Sequence, residues 1–589
     1  MCIQKLKLKS VVLVVSSLLA VVDITNAAPL FEGCGTNFQG GGRALFGSSF
    51  HARQGVNMVY AQPTRLAASM TASFKLNQSP AEPLSLLIEA MNDDSPRECR
   101  IRMLLNDREL LVGSNGFAHG RWQTRQFLIP RGTLHSGTNQ FVISNLEASG
   151  NTGQPPWFMV ARCAIADKDY KLSRIKEATL QIQLPKEVRP FPQPLPADHP
   201  QPGFKFRGTK GWAWTEKQYL EEIPFLVRYK MNFLMNCYIS MFTSPSNHIG
   251  RWTNEWWKPL PDAKKEAYAR VIHACQENGI TFCFAIHPQL SSPRPFDFSK
   301  PEEVDELYQN FDWAQSQGVH WFSVSLDDVS WTGKGPLVGG TQHAKLVNTV
   351  IKRLRQKDPD AQMIFCPGPY SGDGTNPTDH AYLQALGNDL DPAVYIFWTG
   401  DGVADQKITR KAAESYKGVV RHRLFLWDNY PVNDSAPTLH LGPLSGRAAD
   451  LCEVADGYMS NPMALQNEIN RIPLATCADY SYNPWRYDPD RSIGQAILGL
   501  AQTISQQLVL KELVETYPGF LISGGGTGEN PVRRKFEELA GSQDSRTEAH
   551  DFVRHLEDIS LRLTKEFPGE FTEARQTVDE DVIWMKAKL

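Results

Sequence analysis

The chain has 589 residues, too many for one hydrophobic core. At roughly 100–200 residues per domain it holds about three domains, one of which can be a barrel of about 250 residues. A formal net charge of -3, with no polybasic run, excludes polyanion or nucleic-acid binding by bulk charge, and 41% hydrophobic with 21% charged residues fits a folded soluble protein.

Lys5, Lys7 and Lys9 precede an apolar run from Val11 to Val22, and Thr25 and Ala27 follow as small residues suited to cleavage. That order is the signature of a secretory signal peptide over residues 1–27, which predicts a secreted or periplasmic protein. The run is short for a bilayer, and no later stretch is apolar enough to span one, so no membrane span is expected after signal removal. There are ten cysteines. Cys34, Cys99 and Cys163 lie in the N-terminal third, where an oxidising compartment lets two of them pair. With no CxxC and no HExxH, the sequence gives no metal site and no cofactor motif.

From about residue 28 to 168, short alternating runs such as LSLLIEAM, CRIRMLL, TRQFLIP and NQFVISNL are separated by turn residues. This predicts an antiparallel β-sandwich. Its late part, RGTLHSGTNQFVISNLEASG, resembles galactose-binding-like jelly rolls. Trp122 and Trp157 are available for sugar stacking, although core packing is the commoner fate of tryptophan. Residues 169–203 form a proline-rich linker.

Over residues 204–482 short apolar runs alternate with amphipathic helices. The runs are FKFRG, NFLMNCY, ITFCFAIH, HWFSVSLDD, QMIFCP, VYIFW, RLFLW and GYMSN. Roughly eight unbroken strand–helix units predict a closed (β/α)₈ TIM barrel. An open doubly wound sheet would carry an early glycine-rich phosphate loop, which is missing. Residues 483–589 repeat apolar positions at helical spacing and predict an α-helical domain.

A parallel barrel places its active site at the C-terminal strand ends. The fourth run ends in Asp327 and Asp328, the fifth in Cys366 with Tyr370 nearby, and the sixth in Trp398. The seventh ends in Trp427, Asp428 and Asn429 with Asp434 beyond, and the eighth in Asn461. Carboxylates, amides and aromatic rings on one rim suit a carbohydrate, whose ring faces need apolar walls and whose hydroxyls need polar groups. Two neighbouring carboxylates provide the pair that glycosidic cleavage requires. Helix capping by one of them is the competing structural role.

The segments VSLDDV, FCPGPYSG, WTG, LFLWDNYPVND, LGPLSGR, MSNPM and ADYSYNP resemble family 84 glycoside hydrolases, in order and over roughly half the chain. That family holds β-N-acetylglucosaminidases, including bacterial enzymes named hyaluronidases and the O-GlcNAc hydrolases. The resemblance implies a retaining, substrate-assisted reaction on terminal 2-acetamido sugars, with the sugar's own amide oxygen as nucleophile. It makes Asp327 the residue that orients the acetamido group and Asp328 the acid and base. Tyr370 and Asn429 then hold the acetamido group and the acid, Asp434 and Asn461 take sugar hydroxyls, and Trp427 and Cys366 line the acetamido pocket. Gly208, Lys210 and Trp398 complete the expected substrate site. The first-strand motif departs from the family: RGTKGWAWT carries Arg207 and Lys210 where the family has an acid and a tyrosine. A family lysine after the second strand is also absent, since Tyr238 is followed by Ile239, Ser240 and Met241. The alternatives are a degenerate barrel that only binds glycans, and the same chemistry on another 2-acetamido sugar.

Overall fold

The computed structural model describes residues 29–43, 56–61, 68–92, 98–118, 122–148, 156–170, 172, 180–194, 203–239, 241–242, 253–329, 335–433, 438–519, 530–540 and 546–589. The leader-like residues 1–27 and Asp434 lie outside them.

The N-terminal region is two antiparallel sheets packed face to face. One is ordered β3 (Gly42–Arg43), β4 (Asn57–Val59), β11 (Phe158–Ala166), β6 (Leu84–Asn92) and β9 (Gln123–Ile129), with β1 (Phe31–Cys34) also on β11. The other is ordered β2 (Gln39–Gly40), β5 (Ser69–Leu76), β10 (Gly137–Asn145), β7 (Arg100–Leu105) and β8 (Arg108–Ser114). The period-two pattern decides what is buried: Met70, Ala72 and Phe74 of β5 meet Leu86, Ile88 and Ala90 of β6 in one core. Trp157 is buried with Tyr60, Met58 and Met159 on the far side of the β6–β11 sheet, with Trp122 packed against them. Cys34, Cys99 and Cys163 form no disulfide with one another, so the expected pairing does not occur. Cys99 and Cys163 instead sit in the sandwich core as small apolar groups.

Eight parallel strands close the barrel in sequence order: β12 (Phe206–Thr209), β13 (Phe233–Met235), β14 (Thr281–Ile286), β15 (Trp321–Ser325), β16 (Gln362–Cys366), β17 (Tyr395–Trp398), β18 (Arg423–Pro431) and β19 (Ala455–Asn461). Closure is the pairing of β12 with β19, Phe206 against Gly457 and Gly208 against Met459. The outer helices are α1 (Glu216–Arg228), α2 (Asp262–Glu277), α3 (Glu302–Ser316), α4 (Pro336–Lys357), α5 (Pro377–Asp389), α6 (Arg410–Val420) and α7 (Arg471–Tyr482). Between β18 and β19 the described residues hold only a short 3₁₀ turn, Ala449–Glu453. Thr215 shows how these helices start: its hydroxyl accepts from Gln218 N while the Gln218 side chain accepts from Thr215 N.

Strand parity sorts the barrel into two cores. Phe206, Phe233, Met235, Cys283, Ala285, Ile364, Cys366, Tyr395, Phe397, Phe425, Trp427 and Met459 point into the lumen. Residues of the opposite parity, Leu234, Phe284, Val324, Phe365, Ile396, Trp398, Leu426 and Tyr458, point out towards the helices. The lumen floor is aromatic, with ring centroids of Phe206 and Trp321 4.5 Å apart and those of Phe233 and Phe425 4.8 Å apart.

The C-terminal helices α8 (Pro489–Leu500), α9 (Ile504–Thr516), α10 (Pro531–Ala540), α11 (Arg546–Glu566) and α12 (Thr572–Lys586) bury their own apolar stripes, including Val509, Leu513, Leu556 and Val578. Residues 180–194 of the proline-rich stretch lie along α7 to α9. Their backbone N–H groups reach helix side chains, Ile182 N to Glu515 Oε1 at 2.6 Å and Gln193 N to Asp479 Oδ1 at 2.7 Å. Among the described residues no helix is long and apolar enough to cross a membrane.

Candidate active site

A strand presents alternate residues to one face, so consecutive side chains cannot normally serve one site. Past the end of β15, parity sends Asp327 into the lumen. Asp328 breaks the pattern with φ of 57°, in the left-handed region that Asp tolerates better than most residues. The turn brings its carboxylate to the barrel mouth, where the Tyr370 hydroxyl donates to Asp328 Oδ1 at 2.7 Å. The pair is therefore unequal: Asp327 is buried, 5% exposed, while Asp328 faces solvent.

Asp327 is held from two sides. Tyr238, beyond β13, donates its hydroxyl to Asp327 Oδ2 at 2.7 Å. His287, beyond β14, accepts at Nδ1 from the backbone N–H groups of Leu290 (2.9 Å) and Gln289 (3.2 Å). That fixes the proton on Nε2, which donates to the Asp327 carbonyl oxygen at 2.8 Å. Burial, and then the positive field of Lys210, push the His287 pKa down against the pull of Asp327, so the ring stays neutral. Asp327 Oδ1 is buried and accepts no hydrogen bond. An unmet buried acceptor costs about 1–3 kcal/mol, which a ligand N–H would recover.

Burial, followed by the nearby carboxylates, raises the pKa of Tyr238 and Tyr370, so both phenols remain donors. The Cys366 thiol, on the lumen side of β16, is likewise pushed up by burial and by Asp327 and Asp328, and it lines the pocket as an unreactive thiol.

The opposite wall comes from β18 and β19. Asn429 Oδ1 accepts from Trp427 Nε1 (3.0 Å) and from Asn461 Nδ2 (2.8 Å), while Asn429 Nδ2 donates to Val403 O at 2.6 Å. These bonds fix the Asn429 amide orientation and leave the buried Asn461 Oδ1 without a partner. Asp428, between Trp427 and Asn429, points outward and forms a fully buried pair with Arg447, 2.6 Å and 2.9 Å, that Tyr458 joins at 3.1 Å.

Lys210 follows β12 and by parity stands above Phe206 and Gly208. Its ammonium lies 4.0 Å from the ring centroid of Trp212, 4.3 Å from Trp427 and 4.6 Å from Tyr238. Three such cation–π contacts, each worth about 0.5–2 kcal/mol, offset part of the cost of burying the charge.

Of the residues singled out from the sequence, Asp327, Asp328, Cys366, Tyr370, Trp427, Asn429, Asn461 and Lys210 converge on this mouth. Trp398 does not: it packs in the outer layer near Tyr416, and its Nε1 donates to Gly372 O at 2.9 Å. Gly208 lies within β12, where a Cβ would stand 1.7 Å from Phe233 O, so strand approach accounts for this glycine. Tyr238, His287 and Trp212 were missed. The run ITFCFAIH contained the signal for His287, which shares parity with Cys283 and Ala285.

A family model described as beta-N-acetylglucosaminidase matches residues 208–514, from within β12 to α9. The chain belongs to this family. It is a member of the family 84 glycoside hydrolases. The protein O-GlcNAcases of Rattus norvegicus and Mus musculus are each 26% identical over 234 residues, 38% of this chain and 25% of theirs. The chain thus matches a quarter of the length of these curated relatives. Among solved structures, an O-GlcNAc hydrolase mutant of Thermobaculum terrenum is similar with a TM-score of 0.51 and 23% identity, over 65% of this chain and 82% of that one. CpGH84B is similar with a TM-score of 0.52 and 20% identity, over 74% and 71% respectively. At these identities the two structures speak for the fold.

Proposed function

We propose that this glycoside hydrolase is a retaining β-N-acetylglucosaminidase that removes terminal 2-acetamido sugars with the substrate's own amide as nucleophile. The observation that carries the reading is the unequal aspartate pair. Asp327 is immobilised with one buried oxygen unpaired, and Asp328 reaches the open mouth on a left-handed turn.

In the first step the acetamido carbonyl oxygen forms a bond to the anomeric carbon while the bond to the glycosidic oxygen breaks. Asp328 gives its proton to that leaving oxygen. Asp327 Oδ1 accepts from the amide N–H and stabilises the positive charge growing on nitrogen. In the second step water attacks the anomeric carbon, its proton passes to Asp328, and the oxazoline ring opens. Two inversions leave the β configuration unchanged. Such chemistry is a recognised exception to an enzymic nucleophile, and the intramolecular amide gains an effective concentration of about 10⁵–10⁸ M. Trp427, Cys366 and Tyr370 wall the acetamido methyl, and Asn461 Oδ1 is available to a sugar hydroxyl.

Turnover of matched aryl 2-acetamido and 2-hydroxy β-glycosides tests this reading. Hydrolysis confined to the acetamido series supports it, and comparable turnover of the hydroxy series contradicts it. Tight binding of N-acetylated sugars with no turnover of any would make the barrel a glycan-binding module. The lysine-then-apolar start of the chain motivates the further proposal that the substrate is met outside the cytoplasm, which fractionation of the native host tests.

A further inference from the structure

We infer that His287 is a positioning residue for the acid, holding the peptide between Asp327 and Asp328 in the left-handed turn that carries the Asp328 carboxylate to the barrel mouth; this rests on the reading proposed above.

The carbonyl that receives the His287 Nε2 proton belongs to the peptide joining the two aspartates. A planar peptide turns as one body about its two flanking bonds, so fixing its oxygen restrains ψ of Asp327 and φ of Asp328 together. That φ is 57°, a conformation that costs a non-glycine residue up to about 1–2 kcal/mol. A hydrogen bond contributes about 0.5–1.5 kcal/mol net, and a buried carbonyl left unmet costs about 1–3 kcal/mol. The bond from His287 is therefore large enough to decide between this turn and a regular one. The Asp327 carboxylate is not its target: Nε2 stands 3.6 Å from Oδ1, beyond hydrogen-bonding distance.

The ring is itself held in place. It is fully buried, and its Nδ1 is occupied by the N–H groups of Gln289 and Leu290. Asn254 closes that loop from behind: its Nδ2 donates to His287 O and to Leu290 O, and its N donates to Ser291 O at 3.0 Å. A neutral imidazole accepts at one ring nitrogen and donates at the other, so it locks the loop after β14 to the turn after β15. The two functions can be separated by substitution. His287→Asn puts an oxygen near the Nδ1 position, which keeps the loop N–H groups satisfied, and loses the reach to the Asp327 carbonyl. His287→Gln puts a nitrogen donor near the Nε2 position and keeps that reach.

The test is the ratio of kcat/KM for the dinitrophenyl β-glycoside of N-acetylglucosamine to that for its methoxyphenyl counterpart. A good leaving group hardly needs the acid and a poor one does, so displacing Asp328 raises the ratio. His287→Asn should raise it about tenfold, a part of the 10²–10⁴-fold that a general acid supplies, and His287→Gln should stay within about twofold of wild type. In an Asp328→Asn background His287→Asn should raise the ratio no further, because the acid through which it acts is gone. Each ratio is taken within one protein preparation, so a lower folded fraction in a variant cancels. Should His287→Asn yield no folded protein, Asn254→Ser, which frees the loop behind the ring, carries the same expectation. A wild-type ratio in His287→Asn, with both substrates slowed alike, overturns the inference, as does an equal rise in His287→Gln or a further rise in the Asp328→Asn background; the proposed reaction then stands. A wild type that hydrolyses neither substrate, or an Asp328→Asn variant with the wild-type ratio, overturns the proposed reaction and the inference with it.

Discussion

Tyr370 and Asp328 meet across two barrel units: the phenol beyond β16 donates to the carboxylate beyond β15 at 2.7 Å, and burial keeps that phenol protonated. The contact requires the left-handed Asp328, since regular strand geometry would send this side chain towards the helices. Tyr370→Phe deletes the donor and retains the ring. The expected result is a fall in kcat/KM of about 10²–10³-fold, as for loss of one well-placed donor, with little change in Tm. A variant with wild-type kcat/KM would deny the bond a catalytic role.

Asp328→Asn keeps a residue that accepts the left-handed backbone but can no longer deliver a proton. Loss of general acid catalysis is expected to slow glycosides with poor leaving groups about 10²–10⁴-fold, and those with good leaving groups far less. Steady-state rates over an aryl series of rising phenol acidity would show this as a steeper dependence on leaving group. Equal loss across the series would assign the acid to another residue.

The Asp428–Arg447 pair sits directly behind Trp427 and Asn429. Burial works against the Arg447 charge, and the Asp428 carboxylate overrides it and holds the guanidinium pKa above its ordinary value. Removing one partner of such a pair strands the other, so Arg447→Met is expected to cost about 3–5 kcal/mol in denaturant unfolding. Asp428→Leu combined with Arg447→Met should cost less than the sum of the single changes, because no lone charge then remains. Additive costs would mean that the charges are not coupled.

His343 is packed near Phe298 and bonded through Nδ1 to the Tyr382 hydroxyl, and burial, aided by His287, lowers its pKa from 6.5 to about 3. Between those values the unfolded chain binds a proton that the folded chain refuses, so stability falls as pH falls. The contribution is absent above about pH 6.5 and grows by about 1.4 kcal/mol per pH unit below it. His343→Gln removes this group. The stability gap between wild type and variant, measured by urea unfolding, should therefore narrow as pH drops from about 6.5 towards 4. A constant gap would contradict a buried neutral imidazole.

The strands of the barrel were legible because each is a short apolar run ending in polar groups, and because parity then assigns faces. The same parity explains where residue type alone misled. Trp398 ends its run as Trp427 does, yet it has the opposite parity to the lumen residue Phe397 and faces the helices. The reverse holds for Asp327 and Asp328, where one left-handed residue puts two neighbours at one mouth and no pattern in the sequence announces it. His287 and Tyr238 were hidden by the apolar runs they terminate. Lys210 stood out as a departure from the family, but its cage of Trp212, Tyr238 and Trp427 comes from three separate barrel segments and exists only after closure.

In the proposed reaction the acetamido oxygen of the substrate performs the first attack while the two aspartates manage its N–H and the leaving oxygen. It is tested most directly by kcat/KM for one aryl glycoside carrying N-acetyl, N-fluoroacetyl, N-difluoroacetyl and N-trifluoroacetyl groups. Each fluorine withdraws electrons from the carbonyl oxygen, so kcat/KM should fall steeply and progressively along the series. Rates that stay level across the four substrates would show that the amide takes no part in bond formation and would contradict substrate-assisted attack.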